Sequence, residues 1–236
     1  MMKKILNMDF KLLGFYLLML LLAGIIQVVS ISIFPEIQND ENTFLTFNAL
    51  MNLSVYLFLT IGMVLIAKRY LWKNQWVYFK SKLSMFSLLV IMGIFLMFTM
   101  NLLVLGLFTL FNVEINPENQ QALELIAQSS TLNRLSLFIF AGFLAPIVEE
   151  LVFRKSIYGM IERKLGVLSA IVFSSFLFGL IHVLIDLSNF IQILPYMGLG
   201  LVLGFMYYFS GKMIFVPIFM HMLMNILSVL ALLITL

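Results

Sequence analysis

"AGFLAPIVEELVFR", residues 141–154, ends an apolar run with two glutamates and an arginine. Its reading decides the fold. In water these charges would mark the edge of an ordinary core helix. In a membrane they are costly, at about 2.5–3.5 kcal/mol each for Asp, Lys or Arg at a helix centre, and intramembrane charge is functional by default.

The rest of the chain selects the membrane. Of 236 residues, 63% are hydrophobic and only 11% are Asp, Glu, Lys or Arg, and the mean hydropathy is +1.10. Soluble domains are about 45–50% apolar and about 25% charged. No polar stretch is long enough for a separate soluble domain. A cleaved signal peptide is not expected either: the first apolar segment exceeds a signal h-region, and no small-x-small site follows it. The absence of cysteine excludes disulfides, thiolate ligands and a cysteine nucleophile. The net charge of +3 does not indicate nucleic acid, because in a membrane protein the placement of basic residues matters more than their sum.

A hydrocarbon core of about 30 Å needs roughly 20 apolar residues per helix. Seven segments qualify: 12–34, 45–67, 85–111, 135–153 with a helical continuation to about 164, 167–187, 190–209 and 214–236. The expected fold is an all-α, polytopic helical bundle. Its loops alternate in charge. Lys3, Lys4 and Lys11 precede the first span, and Glu36, Asp40 and Glu41 follow it. Lys68, Arg69, Lys73, Lys80 and Lys82 follow the second, and Glu114, Glu118 and Glu124 the third. Arg154, Lys155, Arg163 and Lys164 follow the fourth, and Lys212 lies between the last two. The positive-inside rule then places the N-terminus in the cytoplasm and the C-terminus outside. Trp72, Trp76, Tyr70 and Tyr78 fit an aromatic belt on the cytoplasmic side. The polar stretch 117–132 reads equally as a short interfacial helix, with Leu123, Leu125 and Ile126 on its apolar side, or as a surface loop.

Polar groups within spans are segregated. The first three spans carry almost none; the last four carry Glu149, Glu150, Arg154, His182, Asp186, His221 and Asn225. This divides the chain into an anchoring part, 1–134, and a functional core, 135–236. Glu150 and Arg154, four apart, share a helix face and can pair. Glu149 is rotated about 100° from Glu150 and reads as the free carboxylate. Pro146 frees a backbone carbonyl and can kink the helix toward a polar cavity. Asp186, one turn after His182, can fix that ring's tautomer or simply cap the helix end in solvent; the cap is favoured. His221 and Asn225 share a face of the last helix, where Pro217 can open the site. Gly198, Gly200 and Gly204 suit close helix packing.

Three motifs, "EELVFR", "FGLIH" and "HMLMN", lie in this order on successive helices. Together they resemble the CPBP intramembrane proteases, which include the type II CAAX prenyl endopeptidases and the bacterial Abi proteins. The resemblance covers roughly residues 135–230. It implies that Glu149 is the catalytic carboxylate and that His182 helps it activate water. It assigns oxyanion stabilisation to His221 and Asn225, and support of the site to Glu150 and Arg154. Where the family often has glycine after the motif arginine, this chain has Lys155.

The family is commonly called metalloprotease. Glu149, His182 and His221 could supply three ligands to a divalent ion such as zinc, leaving a position for water. The alternative, which we favour, is a metal-free hydrolase in which Glu149 and His182 hold the water directly. The expected partners are membrane lipid and a membrane-associated peptide or protein substrate, in a bacterial cytoplasmic membrane. Competing readings are a non-catalytic immunity or signalling partner, and a proton-coupled transporter. The transporter is disfavoured because no inverted repeat is visible. The sequence is silent on oligomeric state, substrate identity and any relevance of prenylation.

Overall fold

The computed structural model describes residues 2–114, 117–184 and 187–234, and every regular element among them is helical. The elements are α1 (Met2–Ile33), α2 (Glu41–Ser81), α3 (Leu83–Leu110), α4 (Glu118–Ser129), α5 (Thr131–Leu165), α6 (Val167–Val183), α7 (Ile193–Phe209) and α8 (Phe215–Ile234). A 3₁₀ segment, Leu187–Gln192, leads into α7. Six helices are long and apolar enough to cross a membrane: α1, α2, α3, α5, α7 with its lead-in from Asn189, and α8. The seventh expected span, α6, has 17 residues. At about 1.5 Å per residue it falls slightly short of a hydrocarbon core, because regular helix ends at Val183 rather than reaching 187.

Local chemistry sets the boundaries. Asp40 caps α2 by accepting from the Thr43 backbone N–H at 2.8 Å and from its hydroxyl at 2.7 Å, which satisfies donors the helix start leaves free. Ser130 caps α5 by accepting from the Asn133 N–H. Gly166, at φ +84°, ends α5 and turns the chain into α6; this backbone conformation favours glycine. The polar stretch before α5 is a helix, α4, with Ile126 and Ala127 buried against α2, α5 and α8. Leu125, expected on its apolar side, is instead exposed.

The bundle is built around α5. In its most apolar stretch 67% of residues are buried, against 11–17% in α1, α2 and α3. The first three helices thus present mostly apolar surface outward, as lipid-facing helices do, and α5 is enclosed by α1, α2, α6 and α8. Helix α7 packs closely on α6. A Cβ at Gly200 would stand 3.1 Å from the Ser175 Cα, and one at Gly204 would meet the Ile171 side chain at 3.3 Å. The expected small-residue face is therefore used within the chain.

Helix α5 is not uniform. Two stretches, Phe140–Leu144 and Leu151–Tyr158, are π-helical and flank the glutamates. Such widened turns are uncommon and concentrate at functional sites. The first has a legible cause. The Ala145 N–H reaches back five residues to the Phe140 carbonyl. The next bond in that pattern would run from residue 146 to the Ala141 carbonyl, but Pro146 has no N–H. The Asn225 side chain from α8 supplies the donor instead, at 2.8 Å from the Ala141 oxygen.

Candidate active site

The site is assembled from α2, α5, α6, α7 and α8. Glu149 and Glu150 are both buried, yet their surroundings differ. Glu150 is fully enclosed. One of its oxygens lies 2.9 Å from Nδ1 of His221 and the other 3.2 Å from Nε of Arg154. The arginine N–H groups do not point along that approach: neither Nε nor Nη1 completes a hydrogen bond. The expected Glu150–Arg154 pair is present, but it rests on charge rather than on a bidentate fork. Arg154 also donates from Nη2 to the Gly200 carbonyl at 3.2 Å, so the close approach of α7 gives the guanidinium its hydrogen bond. The ring of Phe178 lies 5.2 Å beneath it, a cation–π distance.

Glu149 is held more loosely. The Tyr56 hydroxyl donates to one oxygen at 3.4 Å, and Nε2 of His221 stands 3.8 Å from the other. His221 therefore lies between the two carboxylates, anchored to Glu150 by one ring nitrogen and facing Glu149 with the other. A reading of helical faces separates Glu149 from Glu150 but does not anticipate that one imidazole addresses both.

His182 approaches from α6. Its Nδ1 is 2.8 Å from the Phe178 carbonyl. A carbonyl only accepts, so Nδ1 carries a proton, and in the neutral ring Nε2 keeps a free lone pair. The ring stacks on Tyr196 at 4.4 Å between centroids and contacts Phe178 at 4.8 Å. Glu149 and His221 both lie within electrostatic reach of it. Phe178 also meets His221 edge-on at 5.6 Å, so this one ring orders Arg154 and both histidines. Asp186, the other partner considered for His182, lies outside the described residues. Asn225 spends one amide hydrogen on Ala141 and retains a second.

All six sequence-derived residues thus converge. Among the described residues, however, no three His, Asp or Glu side chains are gathered closely enough to hold a metal ion. Glu149, His182 and His221 are not gathered as a ligand set in this arrangement.

The segment that carries these residues is similar in sequence to known proteins. Residues 131–227 match the family described as type II CAAX prenyl endopeptidase Rce1-like. The resemblance to CAAX-type membrane peptidases holds. The matched segment runs from the first residue of α5, Thr131, past Asn225 and so contains all six site residues. Two curated relatives are similar to part of the chain. "Putative membrane peptidase YdiL" of Bacillus subtilis (strain 168) is 35% identical over 115 residues, which is 49% of this chain and 43% of that protein. "Membrane-embedded CAAX protease MroQ" of Staphylococcus aureus (strain USA300) is 33% identical over 99 residues, which is 39% of this chain and 38% of that protein. The matches span less than half the length of either relative. No solved structure matches the chain.

Two contributors from outside the matched segment escaped the sequence reading. Tyr56, in the apolar middle of α2, reaches Glu149. Its one signal is that a phenol in an apolar run needs a hydrogen-bond partner. Asp9 of α1 is fully buried, bound to Lys155 at 2.5 Å and to Arg163 at 2.7 Å. Its backbone carbonyl accepts from the Ser156 hydroxyl at 2.6 Å. Lys155, the departure from the family's glycine, therefore ties α1 to α5.

Proposed function

We propose that this multi-pass membrane protein is an intramembrane endopeptidase acting on a membrane-associated peptide or protein, with Glu149 as its general base. The observation that carries this is the asymmetry of the carboxylates. Glu150 is engaged by Arg154 and His221 at 3.2 Å and 2.9 Å, whereas Glu149 has only a long bond from Tyr56 and a distant imidazole nitrogen. A carboxylate free to exchange a proton is what general-base chemistry requires.

In the reaction, a water lies between Glu149 and the bare Nε2 of His182. Glu149 takes one proton from it. The water oxygen bonds to the scissile carbonyl carbon, and the C=O electron pair moves onto the carbonyl oxygen. The spare amide hydrogen of Asn225, with Nε2 of His221 when protonated, donates to that oxyanion. Such donors are most effective in a dry, preorganised site. Glu149 then returns its proton to the amide nitrogen, the oxyanion electron pair re-forms C=O as the C–N bond breaks, and a carboxylic acid and an amine leave, the acid passing its proton to the amine or to water. Glu150 and Arg154 hold His221 in place. No step passes through a metal ion. The bacterial cytoplasmic membrane is the proposed location, in keeping with the source of both relatives.

The test is to incubate purified protein in detergent with a library of apolar, membrane-associated peptides and read the products by mass spectrometry, with and without a chelator. The reading predicts cleavage at defined bonds that survives chelation. Loss of cleavage on chelation, restored by added zinc, contradicts the metal-free step. Absence of new termini in both the library and the membrane proteins of an expressing cell contradicts the enzyme itself.

A further inference from the structure

Away from the carboxylates, at the end of the bundle where the basic loops gather, lies a cavity of about 820 Å³. Its walls come from the π-helical turn of α2, the second π-helical stretch of α5 and the turn between α7 and α8. Four cationic side chains line it: Arg69, Lys155, Arg163 and Lys212. Two carboxylates answer them. Asp9 takes Lys155 and Arg163 together, and Glu162 takes Lys212 at 2.7 Å. Four cations against two carboxylates leave an excess of two positive charges, and Arg69 has no carboxylate within salt-bridge distance among the described residues.

A second observation is independent of charge. Tyr158 lines the same cavity and is fully buried, yet its hydroxyl completes no hydrogen bond. The Glu162 carboxylate, already held by Lys212, is the acceptor beside it and interacts with it, at a geometry short of a full hydrogen bond. Buried hydroxyls in native structures are nearly always paired. A donor that shares its one weak acceptor with Lys212, in a cavity with surplus cations, suits an acceptor-rich anion.

We propose that this cavity binds the phosphate group of an anionic ligand, with the unpaired Arg69 and the Glu162-bound Lys212 supplying positive charge and Tyr158 a hydrogen bond. Its position among Tyr70 and the neighbouring tryptophans of α2 matches the depth of lipid headgroups. Basic pockets between membrane helices are suited to acidic headgroups. A soluble phosphate ester offers the same chemistry.

The test uses the full chain purified in a neutral detergent and follows its melting temperature as probe is added. The probes are phosphatidylglycerol, phosphatidylcholine and inorganic phosphate. A ligand that binds only the folded state raises the midpoint in a saturable way. Wild type is expected to be stabilised by phosphatidylglycerol and not by phosphatidylcholine. Stabilisation by inorganic phosphate at millimolar concentration would assign a soluble source; a response to phosphatidylglycerol alone would assign the lipid. Arg69→Gln with Lys212→Gln should weaken the apparent affinity about 30-fold, at roughly fivefold for each basic residue removed. Lys68→Gln with Lys82→Gln, an equal charge change on exposed residues outside the cavity, should leave it unchanged. Tyr158→Phe should weaken binding while changing the unliganded midpoint little, since the hydroxyl completes no well-formed hydrogen bond. Equal responses of the two double variants, or no response of wild type to any phosphate-bearing probe, overturns the proposal.

Discussion

At the scale of single residues, two adjacent glutamates sit in different surroundings. Glu150 and Arg154 are fully buried and mutually dependent. Removing one member of a buried pair strands the other and costs about 3–5 kcal/mol. Glu150→Gln is therefore expected to lower unfolding stability by that order, measured by denaturant titration in detergent, and Arg154→Met added to it should recover part of the loss. Tyr56→Phe should act differently. It deletes one long hydrogen bond to Glu149, worth about 0.5–1.5 kcal/mol, so turnover should change roughly two- to tenfold with the melting temperature preserved. The pairing of Glu150 with Arg154 and the different surroundings of Glu149 were legible from helical spacing alone. The bridging position of His221 was not. It depends on how α8 packs against α5, and a period of 3.6 carries no information about which faces of two helices meet.

At the scale of elements, the two π-helical stretches of α5 organise the centre. Pro146 leaves the Ala141 carbonyl without its helical donor, and Asn225 completes it. This coupling is measurable by a double-mutant cycle. Asn225→Ala should cost about 1 kcal/mol more in wild type than in a Pro146→Ala background, where the backbone N–H is restored. Independent, additive effects of the two substitutions would contradict the assignment. The sequence signalled that Pro146 would disturb the helix, because missing N–H groups are read directly from residue identity. It did not signal the widened turn after Glu150, which carries Lys155 and Ser156 onto Asp9. That turn depends on a partner some 146 residues away, and no local pattern announces it. Most span bounds were read to within a few residues, but α1 starts about ten residues before the expected 12, α2 continues about fourteen residues past 67, and the regular helix of α6 ends at Val183 rather than 187.

At the scale of the whole molecule, the charge alternation read along the loops becomes a polarised bundle. Arg69, Lys155, Arg163 and Lys212 share one cavity, while Gln192 binds the Glu114 carbonyl beside the acidic connection. The bundle and its basic end were legible because charge excluded from spans has few places to go. Orientation in the bilayer is a proposal from the positive-inside rule. The chain has no cysteine, so single-cysteine variants report cleanly. In whole cells, Lys212→Cys is expected to resist a membrane-impermeant maleimide and Glu118→Cys to react with it; the reverse pattern would invert the topology.

The central claim is that Glu149 is the base that activates water. The most direct measurement is the single-turnover rate of Glu149→Gln on a peptide that wild type cleaves, in a variant whose melting temperature matches wild type. General-base catalysis contributes typically 10²–10⁴-fold, so the account predicts a loss of at least about a hundredfold, with peptide binding retained. A folded Glu149→Gln variant that cleaves within about tenfold of wild type would contradict it, and the base would have to be sought elsewhere.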